Sequence, residues 1–285
     1  MVRKVENMKF TKMEGLGNDY VYINGMQETI ENKPEFVKRV SDRHFGIGSD
    51  GVIFINASQR ADFEMEMYNA DGSRSEMCGN GIRCVGKYVY DYGLTQKTDL
   101  VIETAGALKY LKLQVENGKV KQVRVNMGAP ILEAEKVPVV SEKEKVIDEP
   151  IEVLGKTYHM TCVSVGNPHA VIFVEDVQNI DIEKIGPLLE YDARFPKRIN
   201  VEFVKVLDEN TVQMRVWERG TGETLACGTG ATATAAACVL NGLTKNEVVV
   251  KLLGGDLKIE WDQEKNLLYM TGPAKTVFEG EISEK

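Results

Sequence analysis

Cys78-Gly79-Asn80-Gly81 recurs 149 positions further along the chain as Cys227-Gly228-Thr229-Gly230. Four matches at one offset, without a gap, are the signature of an internal repeat, and they predict two halves with the same fold. The other three matched pairs are Gly17-Asn18-Asp19 with Gly166-Asn167-Pro168, Gly51-Val52-Ile53-Phe54 with Asn200-Val201-Glu202-Phe203, and Met67-Tyr68-Asn69 with Val216-Trp217-Glu218.

Each half ends in a similar phrase. The first is Asn126-Met127-Gly128-Ala129-Pro130, and the second is Tyr269-Met270-Thr271-Gly272-Pro273-Ala274. We therefore predict one half-domain over residues 1–129 and a second over 130–273. Residues 274–285 are too few to form a domain, and we expect them to pack back on the first half.

The halves are predicted to be rich in strands, with one important helix each. Short runs of β-branched and aromatic residues between Gly, Asn and Asp are typical of strands, and Asn117-Gly118 is a strong hairpin signal. A second hairpin is expected around Asp208-Glu209-Asn210. Apolar spacing predicts a helix from Cys78 to Gly93, and another from Cys227 to Gly242. This pattern indicates a mixed α/β (α+β) fold.

Composition and charge favour a small-molecule ligand. Of 285 residues, 35 are Lys or Arg and 43 are Asp or Glu, and no basic run is present, so we expect no nucleic-acid partner. No apolar stretch follows the N-terminus, so neither a signal peptide nor a membrane contact is expected, and we predict a cytoplasmic protein. Met8 is an alternative natural start.

The cysteines are predicted to be reduced thiols. There are five of them, an odd number spread widely over the chain, which does not suit a disulfide framework. Cys84 and Cys238 fall inside the two helices and Cys162 in an apolar strand, so these three are expected to be core residues. No C-x-x-C or His/Cys cluster is present, which argues against a metal or thiol-redox protein.

Cys78 and Cys227 each precede a glycine-flanked helix start. Unpaired N–H groups and the positive end of the helix dipole gather there, so the site welcomes a carboxylate and the charge it gains when an α-proton leaves. The same field is expected to lower a thiol pKa toward neutrality. Inversion of a stereocentre needs a base on one face and an acid on the other, and a repeated thiol supplies both.

His169 and Glu218 are the candidate proton partners of the two thiols. His169 lies in the turn Gly166-Asn167-Pro168-His169, and Glu218 in Trp217-Glu218-Arg219-Gly220. Either side chain can take a proton from a cysteine, although sequence alone leaves the pairing open. His44 and His159 have no such context and are expected to be structural.

The ordered set of motifs closely resembles the diaminopimelate epimerase family from Met8 to about Pro273. The motifs that carry the resemblance are Gly15-Leu16-Gly17-Asn18-Asp19-Tyr20, Asn69-Ala70-Asp71-Gly72-Ser73, Cys78-Gly79-Asn80-Gly81-Ile82-Arg83-Cys84, Gly166-Asn167-Pro168-His169, Glu218-Arg219-Gly220 and Ala226-Cys227-Gly228-Thr229-Gly230.

The resemblance implies two pseudo-symmetric half-domains, each a strand-rich barrel around a central helix, with the active site in the cleft between them. It also implies interconversion of LL- and meso-2,6-diaminopimelate in bacterial lysine biosynthesis by a two-base mechanism, without pyridoxal phosphate or metal, in a homodimer.

The same resemblance implies a role for each matched position. Cys78 and Cys227 would be the acid–base pair, with His169 and Glu218 as their catalytic assistants. The main-chain N–H groups at the two helix starts would bind the reacting carboxylate, at Gly79, Asn80, Gly228 and Thr229. The substrate's remaining groups would be held by Asn18, Asn69, Asn167, Asn200, Glu218 and Arg219.

Arg219 also has an independent rationale, because a guanidinium grips a distal carboxylate with two hydrogen bonds. Two positions depart from the family pattern. Glu14 replaces a common histidine, and Gly51 stands where some members carry a glutamine that contacts substrate.

Two alternatives to this function come from different classes. A proline or hydroxyproline racemase shares the two-thiol logic but does not need Glu218-Arg219 to bind a second amino-acid head group. A non-catalytic amino-acid-binding protein would use the same ligand contacts without exchanging a proton.

Overall fold

A computed structural model describes residues 7–75, 77–105 and 107–283. The proposed extension ahead of Met8 lies outside these residues, except for Asn7. The strands are β1 (Asn7–Gly15), β2 (Asn18–Asn24), β3 (Gly51–Asn56), β4 (Phe63–Asn69), β5 (Arg74–Ser75), β6 (Asp99–Thr104), β7 (Ala107–Glu116), β8 (Lys119–Gly128), β9 (Glu149–Val153), β10 (Lys156–Ser164), β11 (Pro168–Phe173), β12 (Asn200–Asp208), β13 (Thr211–Glu218), β14 (Gly222–Thr224), β15 (Glu247–Leu252), β16 (Gly255–Asp262), β17 (Leu267–Pro273) and β18 (Lys275–Ser283). The helices are α1 (Lys33–Ser41), α2 (Gly79–Asp91), α3 (Ile182–Glu190) and α4 (Gly228–Leu240).

The chain divides into two compact units. Unit 1 comprises Met1–Val125 with Gly272–Lys285, and unit 2 comprises Asn126–Thr271. Each unit mixes helices with a larger number of strands, so the predicted α/β, strand-rich class is confirmed.

In unit 1 the strands pair in the order β18, β1, β2, β3, β4, β6, β7, β8, with β5 on β4. The β2–β3 and β4–β6 pairs are parallel and the others are antiparallel. Helix α2 packs against β1 and β2 near one end of this order and against β7 near the other. The sheet of unit 1 therefore wraps around α2.

Unit 2 repeats this topology. Its order is β9, β10, β11, β12, β13, β15, β16, β17, with β14 on β13, and its parallel pairs are β11–β12 and β13–β15. Helix α4 packs against β10, β11, β12, β15 and β16. The predicted internal repeat is therefore visible in the pairing of the strands.

The register agrees to the residue. Tyr20 lies opposite Gly51 on the parallel neighbour of its strand, and His169, 149 positions later, lies opposite Asn200. Because registered residues on parallel strands project to the same side of a sheet, each repeat places these positions on one face.

The two central helices are buried for different chemical reasons. Helix α2 presents apolar side chains such as Ile82, Val85 and Val89 to the strands, and all three are fully buried. Helix α4 is an Ala and Thr helix, and its residues from Ala231 to Thr234 are also fully buried. Small side chains let the surrounding strands approach the helix closely, which fixes the position of its first turn.

Among the described residues, no helix has the length and apolar character needed to span a lipid bilayer.

Candidate active site

Cys78 is the N-cap of α2. Its backbone is extended, with φ −134° and ψ 117°, and its sulfur accepts a hydrogen bond from the Gly81 N–H at 3.3 Å. The thiol donates to Asn18 Oδ1 at 3.1 Å, and the Asn18 amide in turn donates to Asp50 at 2.7 Å. The residue as a whole is half-buried, and the orientation of its thiol is set by groups from the helix start and from β2.

Cys227 repeats this arrangement at the start of α4. Its backbone has φ −118° and ψ 110°, and its sulfur accepts from the Gly230 N–H at 3.3 Å. The Thr229 hydroxyl lies 3.4 Å from the sulfur. Unlike Cys78, Cys227 is buried, with 6% of its surface exposed. A side chain in the N-cap position meets the unpaired N–H groups of the first turn, so both thiols lie where an anion is stabilised.

Glu218, at the end of β13, lies close enough to Cys227 for each group to influence the pKa of the other. The Thr224 hydroxyl, on the neighbouring strand β14, donates to Glu218 Oε1 at 2.5 Å. The short β13–β14 hairpin thereby fixes the position of the carboxyl group.

His169, on β11, lies in a chain of hydrogen bonds that leads to the same helix start. Its Nδ1 is 2.6 Å from Glu202 Oε1, and its Nε2 is 3.0 Å from Asn167 Oδ1. The Asn167 amide donates to the Thr229 hydroxyl at 3.2 Å. His169 and Glu202 are both fully buried.

Asn200 holds the segment that carries Arg219. Its amide donates to the Pro168 carbonyl at 2.7 Å, and its Oδ1 accepts from the Arg219 N–H at 3.0 Å. The Arg219 guanidinium donates to the Lys197 carbonyl at 3.0 Å. Asn200 thus links the turn before His169 to the turn after Glu218.

Glu190, at the end of α3, supports the same turn from the opposite direction. Its carboxylate is buried and accepts from the Trp217 indole at 2.8 Å, from the Gly220 N–H at 2.9 Å and from Arg198 at 3.2 Å. These bonds fix the backbone on both sides of Glu218 and Arg219.

The helix-start N–H groups lower the pKa of both thiols, as expected, but burial outweighs them and the net shift of each pKa is upward. Burial raises the pKa of Cys78, and the opposing effects are smaller: the Gly81 and Asn80 N–H groups, the Tyr20 hydroxyl and the charge of Arg83. The cost of removing a thiolate from water exceeds the gain from a few N–H donors.

For Cys227 the effects that raise the pKa exceed those that lower it by more than for Cys78. Burial raises its pKa well above the usual value, and the negative charges of Glu218 and Glu202 raise it further, whereas Thr229 and Gly230 lower it. The pKa of Glu218 is also raised by burial, against the hydrogen bond from Thr224 and the charge of His169. A carboxylate with a raised pKa beside a thiol is a suitable proton acceptor for it.

The predicted site residues fall into two groups, one in each unit. In unit 1 the Asn18 and Cys78 side chains are in direct contact, and Asn80 Oδ1 accepts a hydrogen bond from Arg83 at 3.0 Å. Asn69 donates to Ser73 at 3.1 Å at the end of β4. The members are Asn18, Asn69, Cys78, Gly79 and Asn80 in unit 1, and Asn167, His169, Asn200, Glu218, Arg219, Cys227, Gly228 and Thr229 in unit 2.

The two departures from the family pattern have local structural reasons. Glu14 accepts a hydrogen bond from the Gly17 N–H at 2.9 Å and so closes the turn between β1 and β2. A Cβ at Gly51 would lie 2.0 Å from the Tyr68 carbonyl oxygen, so this backbone cannot carry a glutamine there. We conclude that Gly51 contributes no side-chain contact to a substrate.

Tyr20 and Glu202 are candidate site residues that sequence reasoning did not select. The Tyr20 hydroxyl lowers the pKa of Cys78, and Glu202 bonds to His169. The signal was present in the repeat, because Tyr20 aligns with His169, and Glu202 aligns with Ile53. A charged residue aligned with an apolar one in a buried strand marks a position with a special role.

All five cysteines are free, and Cys84, Cys162 and Cys238 are buried as expected. Among residues 7–75, 77–105 and 107–283, no group of three or more His, Cys, Asp or Glu side chains is placed to hold a metal ion.

The family model for diaminopimelate epimerase matches residues 10–133 and 161–277. Curated relatives with this name are similar to the chain over nearly their whole length. The protein of Acetivibrio thermocellus is 59% identical over 275 residues, covering 96% of this chain and 98% of its own. That of Methanococcus maripaludis is 60% identical, covering 96% and 99%. That of Leptospira biflexa is 54% identical over 277 residues, covering 96% and 99%.

Solved structures of distant relatives have the same fold. A phenazine biosynthesis protein of the PhzF family from Bacillus anthracis superposes with a TM-score of 0.67 at 15% identity, covering 97% of this chain and 99% of its own. A hydroxyproline epimerase from Agrobacterium vitis gives a TM-score of 0.67 at 14% identity, covering 97% and 91%. At this level of identity the likeness concerns the fold alone.

Proposed function

The chain belongs to the diaminopimelate epimerase family, and from this premise we propose that it interconverts LL- and meso-2,6-diaminopimelate with Cys78 and Cys227 as its two acid–base groups. It is an isomerase of lysine biosynthesis. The observation that carries the assignment of the two thiols is their equivalence: each caps the central helix of its own unit and accepts a hydrogen bond from the third residue along.

The reaction we propose moves two protons. A thiolate removes the α-proton, so that the C–H bond breaks and an S–H bond forms. The other thiol then gives its proton to the opposite face of the same carbon and becomes a thiolate. The charge that develops on the α-carboxylate is stabilised by helix-start N–H groups, from Gly79 and Asn80 or from Gly228 and Thr229.

The raised pKa values of the thiols make a proton partner necessary. Glu218 lies near Cys227 and its pKa is raised, so we propose that the Cys227 proton passes to that carboxylate when the thiolate forms. His169 is the second proton partner that we propose for the thiols. The positive imidazolium and the neutral carboxyl group are the forms that follow proton uptake, and both reduce the cost of a thiolate in a desolvated site.

We propose that the substrate's second amino-acid head group is bound by Asn18, Asn69, Asn167, Asn200, Glu218 and Arg219. Arg219 supplies the charge that a distal carboxylate requires, and Asn200 and Glu190 hold its backbone in place. Proline has no second carboxylate, so the guanidinium would be unpaired in its complex. This contrast favours diaminopimelate over a proline or hydroxyproline substrate.

The test is to incubate the protein with LL-diaminopimelate in D2O without added cofactor and to follow the α-proton signal by NMR. We expect the α-proton to be replaced by deuterium while the meso isomer accumulates. Parallel incubations with L-proline and trans-4-hydroxy-L-proline test the racemase alternative. Binding of diaminopimelate without deuterium incorporation would identify a binding protein and reject the epimerase assignment.

A cytoplasmic location and a homodimer remain proposals. Both follow from the family's biosynthetic role and from the resemblance in sequence. Light scattering of the purified protein measures the oligomeric state, and a monomer at working concentration would reject the dimer.

A further inference from the structure

Glu202 is a buried charge at a position where the repeat also accepts a hydrocarbon. It lies on β12, fully buried, and its repeat equivalent on β3 is Ile53, also fully buried. The glycine in the first turn of each central helix packs on this position. A Cβ at Gly81 would lie 2.7 Å from Ile53 Cδ1, and a Cβ at Gly230 would lie 2.6 Å from Glu202 Oε1. The packing is therefore the same in both units, and only the chemistry differs.

Burying the Glu202 carboxylate at this position costs free energy. Burying an ionised group without a partner is unfavourable by several kcal/mol, and the cost is offset only by hydrogen bonds and an opposite charge. Among the described residues, Glu202 Oε2 has no hydrogen-bond partner, so the bond from Oε1 to His169 Nδ1 at 2.6 Å is the compensating contact. The apolar Ile53 shows that the fold itself does not need the charge.

The partner of this carboxylate also differs between the repeats. Tyr20 in unit 1 aligns with His169 in unit 2, so the pair Tyr20–Ile53 corresponds to His169–Glu202. A histidine can take or give a proton at neutral pH, whereas a tyrosine ordinarily cannot. The carboxylate therefore occurs in the repeat whose equivalent ring is titratable.

The two ring nitrogens of His169 have different hydrogen-bond partners. Nδ1 lies 2.6 Å from Glu202 Oε1, and Nε2 lies 3.0 Å from Asn167 Oδ1. An ionised carboxylate can only accept, so the bond to Glu202 requires a proton on Nδ1. When Nε2 loses its proton, the bond at Nδ1 is retained.

We propose that Glu202 is a positioning residue for His169: its carboxylate keeps a proton on Nδ1 and thereby assigns proton exchange with a reacting thiol to Nε2. The inference rests on the proposed epimerase function. In the forward step the thiol proton moves to Nε2, which leaves a thiolate and an imidazolium paired with Glu202. In the reverse step Nε2 returns the proton, and Glu202 keeps its charge throughout.

Other groups facing His169 also affect its proton exchange. From β13, Glu218 interacts electrostatically with the ring, and the Cys227 thiol lies at the start of α4, linked through Thr229 and Asn167. Glu202 differs from them because it bonds directly to the ring. A variant of Glu202 therefore tests the carboxylate with the other groups unchanged.

The first experiment uses the wild-type protein with 15N-labelled histidine rings. The sequence has three histidines, and the His169 signals are identified by their loss in His169→Gln. We expect Nδ1 of His169 to remain protonated at every pH at which the enzyme is active. A ring protonated only on Nε2 would overturn the proposal, whether or not the protein is an epimerase.

The second experiment compares Glu202→Gln with the wild type. The glutamine carbonyl can still accept the Nδ1–H, so the shape of the site is kept and the charge is lost. We expect kcat to fall by about 100-fold, the scale of general acid–base catalysis, with KM changed by less than about twofold. Glu202→Asp should recover part of kcat, which a purely structural role does not predict.

Glu152→Gln, on the exposed side of β9 in the same unit, is the control for loss of one negative charge. Thermal denaturation of each variant shows whether it is folded. If the wild type exchanges deuterium and a folded Glu202→Gln variant has the wild-type kcat, the role proposed for Glu202 is rejected and the epimerase function stands. Absence of exchange in the wild type rejects the proposed function, and the NMR result still decides the role of Glu202.

Discussion

Tyr20 and His169 occupy the same place in the two repeats, yet each meets a different polar partner. The Tyr20 hydroxyl acts on the Cys78 thiol and lowers its pKa, whereas the His169 ring bonds to the Glu202 carboxylate. Burial raises the pKa of Tyr20, so its hydroxyl remains a proton donor. The repeated scaffold thus places a neutral hydroxyl near a thiol in one unit and an imidazole beside a carboxylate in the other.

Tyr20→Phe removes the hydroxyl that lowers the pKa of Cys78, so we expect this pKa to rise further and kcat to fall roughly tenfold, as for a lost hydrogen bond to a charged group. The rate of Cys78 alkylation by iodoacetamide as a function of pH measures the change. Tyr110→Phe, at an exposed position of β7, is the matched control. An alkylation profile identical to that of the wild type would show that the hydroxyl does not act on the thiol.

Cys78→Ala and Cys227→Ala should each reduce epimerisation by at least about 1000-fold, because inversion needs an acid and a base on opposite faces. Chiral chromatography of the diaminopimelate isomers measures the loss. Cys162→Ala, which removes a buried thiol from β10, should lower thermal stability slightly and leave turnover intact. Near wild-type epimerisation by either of the first two variants would reject the two-base assignment.

Thr224→Val removes the donor that lowers the pKa of Glu218. The carboxyl group must be ionised to take a proton from Cys227, so its raised pKa sets the acidic limit of activity. Without the Thr224 hydroxyl this pKa rises further, and the acidic limb of kcat/KM should move to higher pH.

The pH profile of initial rates measures this shift, with Thr221→Val at an exposed position of the same turn as the control. An acidic limb that stays in place, or moves to lower pH, would show that Glu218 is not the group that limits activity.

Glu190→Gln weakens the bonds that fix the turn around Arg219, because Trp217 and Gly220 donate to different carboxylate oxygens and glutamine replaces one of these acceptors with an NH2 donor. We expect KM for diaminopimelate to rise about tenfold, the effect of roughly 1.4 kcal/mol, with a smaller change in kcat. Steady-state kinetics provide the measurement. Glu183→Gln, exposed on the same helix, controls for charge; equal KM values in the two variants would contradict the role given to Glu190.

Sequence reasoning found the features that depend on periodicity and turns. The repeat, the helices that follow Cys78 and Cys227, and the hairpin at Asn117-Gly118 are all confirmed. Each of them rests on local chemistry: a helix start, an apolar spacing or a turn dipeptide. Helices α1 and α3 were not predicted, since neither carries a motif that draws attention to it.

The electrostatics of the site could not be predicted in the same way. The helix starts were correctly located, but the sign of the thiol pKa shift depends on how much water the folded chain excludes from Cys78 and Cys227. Glu202 could not be identified from the sequence for the same reason, because its role depends on burial beside His169 and not on a local motif.

The alignment of Ile53 with Glu202 also bears on how such a protein arises. If the two halves descend from one duplicated segment, a single buried site has diverged to a hydrocarbon in one copy and to an acid in the other. The copies share their architecture but no longer share their protonation chemistry. Exchange of the two side chains, Ile53→Glu with Glu202→Ile, would then keep the packing pattern. The carboxylate would lie in the half that has Tyr20, and His169 would lose its carboxylate partner.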